Sequence, residues 1–294
     1  MPEQLGFESI KIKTIIALFS DDFLMDRLVL KGGNAMNIVY KMNNRASLDF
    51  DFSIEEDFNE EELRMVSTKI RDVLGEEFRG DNLVVFDYVF ECRPPKFPPQ
   101  KTDFWGGYAA SFKLASFDDY QKYKSKLESL RRRALRIDNG GKQRIEIEIS
   151  KYEYCEREEK ELNDYIIYVY PPVLLALEKL RAICQQTDEY AQAVDKPGLK
   201  GRARDFFDIY HLCVAYDIDI TADENRRKLK KVFEAKKVPL STLAQIEKYK
   251  TNHEVGFPSV VDTVKGNTKI HDFDFYYDFV INIANTLHER FGDE

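Results

Sequence analysis

Two aspartates on a short alternating segment are the best candidates in this sequence for binding a metal ion. Asp49 and Asp51 flank a phenylalanine in the stretch ASLDFDFS, residues 46–53, where apolar and polar side chains alternate. Such alternation predicts a β-strand, and residues i and i+2 of a strand point to the same side. Two carboxylates held this close repel each other unless a cation lies between them, and hard oxygen ligands suit Mg²⁺. The alternative is that both acids simply face solvent.

A pair of glycines precedes this strand. Residues 28–30 predict a short buried strand, Gly32 and Gly33 interrupt it, and residues 34–41 predict a short helix. A strand, a glycine turn and a helix can together bind phosphate, because glycines let the backbone approach an anion and a helix N-terminus offers unpaired N–H groups. Taken alone, the glycine pair fits a simple tight turn equally well.

A second alternating segment carries further acids. Residues 144–149, RIEIEI, place Glu146 and Glu148 on one face of a predicted strand. If this strand lies beside residues 46–53, a third carboxylate joins the aspartate pair. Three acids can hold two metal ions, one activating a hydroxyl nucleophile and the other binding a triphosphate.

The remaining sequence predicts the scaffold that positions these residues. Strands at 83–91 and 108–115 and helices at 60–74 and 118–135 interleave over the first part of the chain. Helices dominate after Pro171-Pro172, where Pro172 can occupy the first position of a helix predicted at 173–185. We therefore expect an α+β protein, with a mixed-sheet domain at 1–170 followed by an all-helical domain at 171–294.

Composition restricts the class of protein. The chain has 294 residues, 52 acidic and 44 basic side chains, a net charge of −8 and a hydrophobic fraction of 43%, which is typical of a packed domain. No apolar run approaches the ~18–20 residues of a membrane span, and the N-terminus lacks the pattern of a secretory signal. The four cysteines form no C-x-x-C pair, so a zinc site and a disulfide framework are disfavoured and a cytoplasmic location is expected.

These motifs, taken in order, resemble the AbiEii/AbiGii-type toxin nucleotidyltransferases, a bacterial branch of the DNA polymerase β-like superfamily. The resemblance extends from about residue 28 to residue 215. It rests on four segments: Gly-Gly-x-Ala at 32–35, Arg-x-Ser-x-Asp-Phe-Asp-Phe at 45–52, LEKLRA at 177–182 and RARDFFDIY at 202–210. Asn34 departs from the family pattern, in which Ser or Thr is more common, and leaves the nucleotide preference open.

The resemblance implies roles in the first domain. The residues implied to hold the β- and γ-phosphates or to support the site are Gly32, Gly33, Asn34, Arg45 and Ser47. Mg²⁺, or alternatively Mn²⁺, would be bound by Asp49, Asp51 and a third acid. The third acid is Glu148 or, as the second choice, Glu146. The third acid would help to activate the acceptor hydroxyl.

The resemblance implies that residues 1–170 form the catalytic domain and that the helical domain at 171–294 closes its active-site cleft. In the helical domain it implies two further catalytic residues. Lys179 would reach the phosphates of the NTP, and Asp205 would act at the domain junction. Without the resemblance, Lys179 is interpreted as a solvated lysine, Asp205 as a helix N-cap and Asp208 as an exposed acid one turn later.

The implied activity is transfer of NMP from an NTP to an acceptor hydroxyl, with RNA and specifically tRNA as the acceptor. The protein would be the toxin of a bacterial toxin–antitoxin or phage-defence system, with a cognate antitoxin as partner and no membrane association. A cluster at 196–204 and a run of nine bases before Glu146 predict the RNA path. The run comprises Lys122, Lys124, Lys126, Arg131, Arg132, Arg133, Arg136, Lys142 and Arg144.

Two other functions stay open at this point. One is a non-catalytic, nucleotide-binding interaction protein with a nucleotidyltransferase fold, although the complete set of acids disfavours it. The other is a D-x-D metal-dependent phosphatase, which would give Gly32 and Gly33 no role. A PD-(D/E)xK nuclease is disfavoured because Lys151 lies one residue too far from Glu148.

Overall fold

The protein forms two compact units. A computed structural model describes residues 6–42, 49–95, 103–138, 140–194, 199–264 and 269–292. The first unit contains the described residues up to Tyr40 and from Asp49 to Val169, and the second contains Lys41, Met42 and those from Tyr170 onward. The roles predicted for residues 1–170 and 171–294, catalysis and closure of a cleft, stay predictions.

A mixed β-sheet forms the centre of the first unit. The strands are β1 (Val29–Lys31), β2 (Phe50–Ser53), β3 (Leu83–Arg93), β4 (Gly107–Ser116), β5 (Ile145–Ser150), β6 (Glu158–Leu162) and β7 (Tyr165–Val169). Their order across the sheet is β3-β4-β5-β2-β1-β7-β6. The β2–β5 and β1–β7 pairs are parallel and the other pairs are antiparallel. This sheet, with the helical second unit, confirms the predicted α+β class.

The helices before β3 are α1 (Phe7–Phe19), α2 (Asp22–Arg27), α3 (Gly32–Asn34), which continues into a π-helical segment (Ala35–Val39), and α4 (Glu60–Arg79). Helices α1 and α4 cover the apolar face of the sheet. The Phe19 ring lies 6.1 Å from Phe52, and the Phe78 ring lies 6.1 Å from Phe112. A capping box between Asn59 and Glu62 begins α4, which extends beyond the predicted residue 74. Because this face is buried, the polar side chains of β2 and β5 must lie on the opposite face.

The predicted long helix at 118–135 is wrong. The structure has two short helices in its place, α5 (Phe117–Tyr123) and α6 (Leu127–Arg131), separated at Lys126, where φ is −130° and ψ is 73°. Tyr120 and Leu130 pack in the same buried cluster. An uninterrupted helix would turn these two side chains about 80° apart, so the break allows both to reach the sheet.

The hairpin of β6 and β7 was not predicted. Asn163 and Asp164 connect the strands with φ angles of 49° and 67°. Left-handed conformations at both central residues are typical of a two-residue hairpin turn, and Asn and Asp tolerate them better than most residues. Val169 then pairs with Leu30, so the hairpin places β1 inside the sheet rather than at its edge.

The second unit is helical. Its elements are α7 (Pro172–Cys184), α8 (Asp188–Ala193), α9 (Ala203–Tyr216), α10 (Asp223–Glu234), a 3₁₀ segment (Leu240–Tyr249), α11 (Lys250–Glu254), α12 (Phe257–Thr263) and α13 (Phe273–Gly292). Pro172 occupies the first turn of α7, as predicted. Rings of Phe273 and Tyr277 pack on Phe206 at 5.5 and 5.6 Å, which joins α13 to α9. In the described ranges no helix is long and apolar enough to cross a membrane.

Asp87 lies at a bulge of β3 and binds two arginines of the predicted RNA path. Its carboxylate accepts hydrogen bonds from Arg131 at 2.6 Å and Arg144 at 2.7 Å, and it is nearly buried. The hydrogen bond from Arg131 lowers the pKa of Asp87 below its ordinary value, assisted by the charge of Arg144 and opposed by burial. Arg131 and Arg144 therefore stabilise this part of the fold.

We expect Asp87→Asn to change the pH dependence of stability. Since folding lowers the pKa of Asp87, its contribution is complete above the ordinary pKa of about 4 and is lost as the pH falls further. The variant should be less stable than the wild type at pH 7, and the difference should shrink at pH 2–3. Urea unfolding at several pH values checks this, and a difference independent of pH would contradict it.

Candidate active site

Asp51 and Glu148 are neighbours in the sheet. Asp51 of β2 pairs in register with Glu148 of β5 on one side and with Lys31 of β1 on the other. In-register residues of adjacent strands share a face, so both carboxylates lie on the face opposite Phe50 and Phe52. The condition for a third carboxylate beside the aspartates, that the strand of residues 144–149 lies next to the aspartate strand, is therefore met by β5 and β2.

The register also distinguishes the two candidate third acids. Glu148 pairs with Asp51, whereas Glu146 lies two residues earlier on β5, before the first pair between β2 and β5 (Phe50 with Ile147), and its partner on β4 is Ser111. The geometry therefore favours Glu148, although its catalytic role stays a prediction.

The glycine turn contacts the acids directly. Gly32 has a φ of 68°, and a methyl group at this position would lie 2.2 Å from Oδ2 of Asp51. Gly32 is thus needed both for its left-handed backbone and for the space that the carboxylate occupies. A phosphate bound at this turn would lie beside the acid pair.

Asn34 anchors the other aspartate. It is fully buried, and its Nδ2 donates a hydrogen bond of 2.7 Å to the backbone carbonyl of Asp49. Its Oδ1 is buried with no hydrogen-bond partner within the described part of the chain. Asn34 therefore connects the helix after the glycine turn to the start of β2. Its predicted phosphate contact stays a prediction, and Arg45 and Ser47 lie outside the described residues.

Two bases neutralise the acids. Nζ of Lys142 lies 2.9 Å from Oδ1 of Asp49, and Nη1 of Arg93 lies 2.9 Å from Oε1 of Glu148. Arg93 was missed by the sequence analysis, because it ends a strand far from every motif and no spacing connects it to Glu148. We call the three carboxylates at Asp49, Asp51 and Glu148 the acid row.

The acid row offers ligands of the type that Mg²⁺ prefers. Across the described ranges, no three His, Cys, Asp or Glu side chains converge closely enough to hold a metal ion as they stand. The available ligands are nevertheless hard carboxylate oxygens, with Asp51 and Glu148 adjacent and the backbone of Asp49 anchored beside them. This donor set suits Mg²⁺.

Lys179 forms a buried ion pair in the second unit. Its Nζ lies 2.6 Å from Oδ2 of Asp208 and 3.2 Å from Oδ1 of Asp205, so it connects α7 to α9. Asp208 is fully buried, and the interpretation of it as an exposed acid is wrong. Asp205 is not the N-cap, which is Arg202, and Lys179 is not solvated. Helical spacing could not show this, because it does not identify which residues of a second helix meet Lys179.

The chain has been compared with known proteins. The model of a protein family, described as nucleotidyl transferase AbiEii toxin, type IV toxin–antitoxin system, matches residues 15–278. The solved structure of JHP933 from Helicobacter pylori is 15% identical, with 98% of this chain and 92% of that chain covered and a TM-score of 0.47. MenT4, a nucleotidyltransferase toxin from Mycobacterium tuberculosis, is 12% identical, with coverages of 96% and 84% and a TM-score of 0.45. None of the curated proteins matches.

The family match includes every element of the sites described above. Residues 15–278 contain the glycine turn, the acid row and the helices that carry Lys179 and Asp205. The match covers most of the 294 residues. The chain therefore belongs to the AbiEii family of nucleotidyl transferase toxins.

Proposed function

We propose that the acid row transfers NMP from an NTP to a hydroxyl of RNA, with Mg²⁺ as the cofactor. The observation that carries the proposal is the in-register pairing of Asp51 with Glu148, directly against the turn at Gly32. This arrangement supports the proposal, because two hard carboxylate ligands lie beside a glycine turn of the kind that can bind phosphate. Membership of a toxin family further supports a cognate antitoxin as a partner.

The residues divide the chemistry between them. Asp49, Asp51 and Glu148 would hold Mg²⁺, with Mn²⁺ as an alternative, and the bound ion supplies charge neutralisation of the triphosphate. Backbone N–H groups after Gly32 would orient the β- and γ-phosphates. A carboxylate oxygen of Glu148 would accept the proton of the acceptor hydroxyl. The deprotonated oxygen of the acceptor would then bond to the α-phosphorus, and the bond between the α-phosphorus and the oxygen that bridges to the β-phosphorus would break and release pyrophosphate.

The basic segment before β5 supports RNA as the acceptor. Four of its nine bases, Arg131, Arg133, Lys142 and Arg144, have acidic partners and belong to the fold or to the acid row. Lys126, Arg132 and Arg136 are exposed and form no ion pair within the described residues. Their uncompensated positive charge favours a polyanion over a protein hydroxyl or a small neutral acceptor. We extend this proposal to tRNA on the family resemblance alone.

Reversing the charge of Lys126, Arg132 and Arg136, three of the exposed bases in this run, should reduce RNA labelling. The variant Lys126→Glu/Arg132→Glu/Arg136→Glu should bind RNA at least about tenfold more weakly, because phosphate contacts of these three side chains are lost. Each lost contact should also reduce the slope of log binding constant against log salt concentration by roughly 0.9. NTP binding and thermal unfolding should be unchanged, because these side chains form no described ion pair. Transfer of label from NTP to total RNA at several salt concentrations measures the effect.

A matched variant controls for net charge. Arg64, Arg71 and Arg79 lie exposed on α4 of the same unit, and their replacement by glutamate changes the net charge equally. RNA labelling should persist in this control. Labelling that is insensitive to the first triple variant and to salt would exclude this segment as the RNA path.

A further inference from the structure

Two acids of the proposed metal site each hold a base of the same chain. Lys142 reaches Asp49 and Arg93 reaches Glu148, each at 2.9 Å, and the four side chains are between 30% and 52% exposed. Ion pairs this exposed contribute little to stability, because water screens them. A divalent cation bound by the same carboxylates interacts with each about twice as strongly as a single charge at equal distance. These pairs are therefore weak competitors of a metal ion.

The backbone around Lys142 is held while its side chain is partly exposed. The N–H of Lys142 donates to Oδ1 of Asp138 at 2.7 Å, and its carbonyl accepts from the N–H of Ile137 at 2.8 Å. The ammonium can thus leave Asp49 by rotation of the side chain alone. The backbone of Lys142 stays close to the acid row in either position of the side chain.

Arg93 reaches Glu148 across an intervening strand. Arg93 is on β3 and Glu148 is on β5, and between them β4 presents Gly107, the partner of Arg93, and Ala109, the partner of Glu148. A side chain at Gly107 would lie 2.0 Å from the carbonyl oxygen of Ile149. With no more than a methyl group on β4 at these positions, the guanidinium has an open path over the sheet to the acid row.

We infer that Lys142 and Arg93 are internal counter-ions of the acid row, which a divalent metal displaces and which then bind phosphates of the NTP. The inference rests on the metal site proposed above. Once a metal neutralises the carboxylates, both cations remain within one side-chain length of the place where the triphosphate binds. Arg93 offers a planar fork for two phosphate oxygens, and Lys142 offers a compact charge.

Metal binding by the nucleotide-free protein tests the first half of the inference. Lys142→Met and Arg93→Met should each bind Mn²⁺ about three- to tenfold more tightly than the wild type, because a competitor and a like charge are both removed. Electron paramagnetic resonance of free Mn²⁺ measures the affinity. Lys160→Met and Arg71→Met remove exposed, acid-paired bases elsewhere in the unit and should leave it unchanged.

Nucleotide binding tests the second half. Both site variants should raise the KM for NTP about tenfold at saturating Mn²⁺, in contrast to the two controls. Unchanged Mn²⁺ affinity, or tighter Mn²⁺ binding with unchanged KM, would overturn the inference.

The Asp51→Asn variant separates this inference from the proposed function. Suppose that the wild type binds Mn²⁺, that Asp51→Asn does not, and that Lys142→Met and Arg93→Met bind it as tightly as the wild type. This result would refute the role of Lys142 and Arg93 as counter-ions but would support the metal site. Absence of Mn²⁺ binding by the wild type would refute both.

Discussion

Asp51→Asn should abolish nucleotide transfer while the protein remains folded. The amide has nearly the shape of the carboxylate, so it fits against Gly32, but it is a weaker ligand without a negative charge. Loss of one metal ligand at a phosphoryl-transfer site should reduce kcat by a factor of about 10³ or more. Asp49→Asn should have a similar effect. Steady-state transfer assays with Mg²⁺, alongside thermal unfolding, measure both quantities.

An exposed acid outside the site provides the control for Asp51→Asn. Asp118 lies in the first turn of α5 and is exposed, so Asp118→Asn should retain normal turnover. Near-normal transfer by Asp51→Asn would refute the acid row as the catalytic site. Comparison of Glu148→Gln with Glu146→Gln then decides the third acid, and the register predicts the larger loss for Glu148→Gln.

Lys179→Met should destabilise the protein by about 3–5 kcal/mol. Removing Lys179 leaves the fully buried carboxylate of Asp208 without this cation, and breaking one half of a buried ion pair typically costs this much. The family resemblance implies a different result, lost NTP binding in a folded protein, because it makes Lys179 a phosphate ligand. The free energy of unfolding in urea distinguishes the two.

A double variant tests whether the unpaired charge of Asp208 causes the loss of stability in Lys179→Met. In Lys179→Met/Asp208→Asn no charge is left buried at this pair, so part of the lost stability should return. If Lys179 also contacts the triphosphate, as the resemblance implies, the double variant will show a raised KM for NTP although it is folded. Lys179→Met with wild-type stability would show that the ion pair does not stabilise the unit.

Alternation along the chain made two strands, and the face on which their acids lie, predictable. In residues 46–53 and 144–149, apolar residues at every second position define the buried face, so the acids must share the other one. Pro172 similarly predicted the start of α7. These signals are local, because each depends on residues within one strand or one helical turn.

Features that depend on contacts between distant residues could not be predicted in this way. Arg93 contacts Glu148 across the intervening strand β4, and Asp208 of α9 contacts Lys179 of α7. The break at Lys126 arises because two separate faces must reach one buried cluster, which a helical pattern does not reveal. The β6–β7 hairpin is the exception, since Asn163-Asp164 was a local signal that could have found it.

The central claim is that the acid row transfers NMP to RNA with Mg²⁺. The most direct test incubates the purified protein with each α-labelled NTP, Mg²⁺ and total RNA, and resolves the products on a gel. The account predicts one labelled RNA band, dependent on a particular NTP, absent with EDTA and absent with Asp51→Asn. Label on RNA that persists with EDTA or with Asp51→Asn, or label on protein with none on RNA, would contradict it.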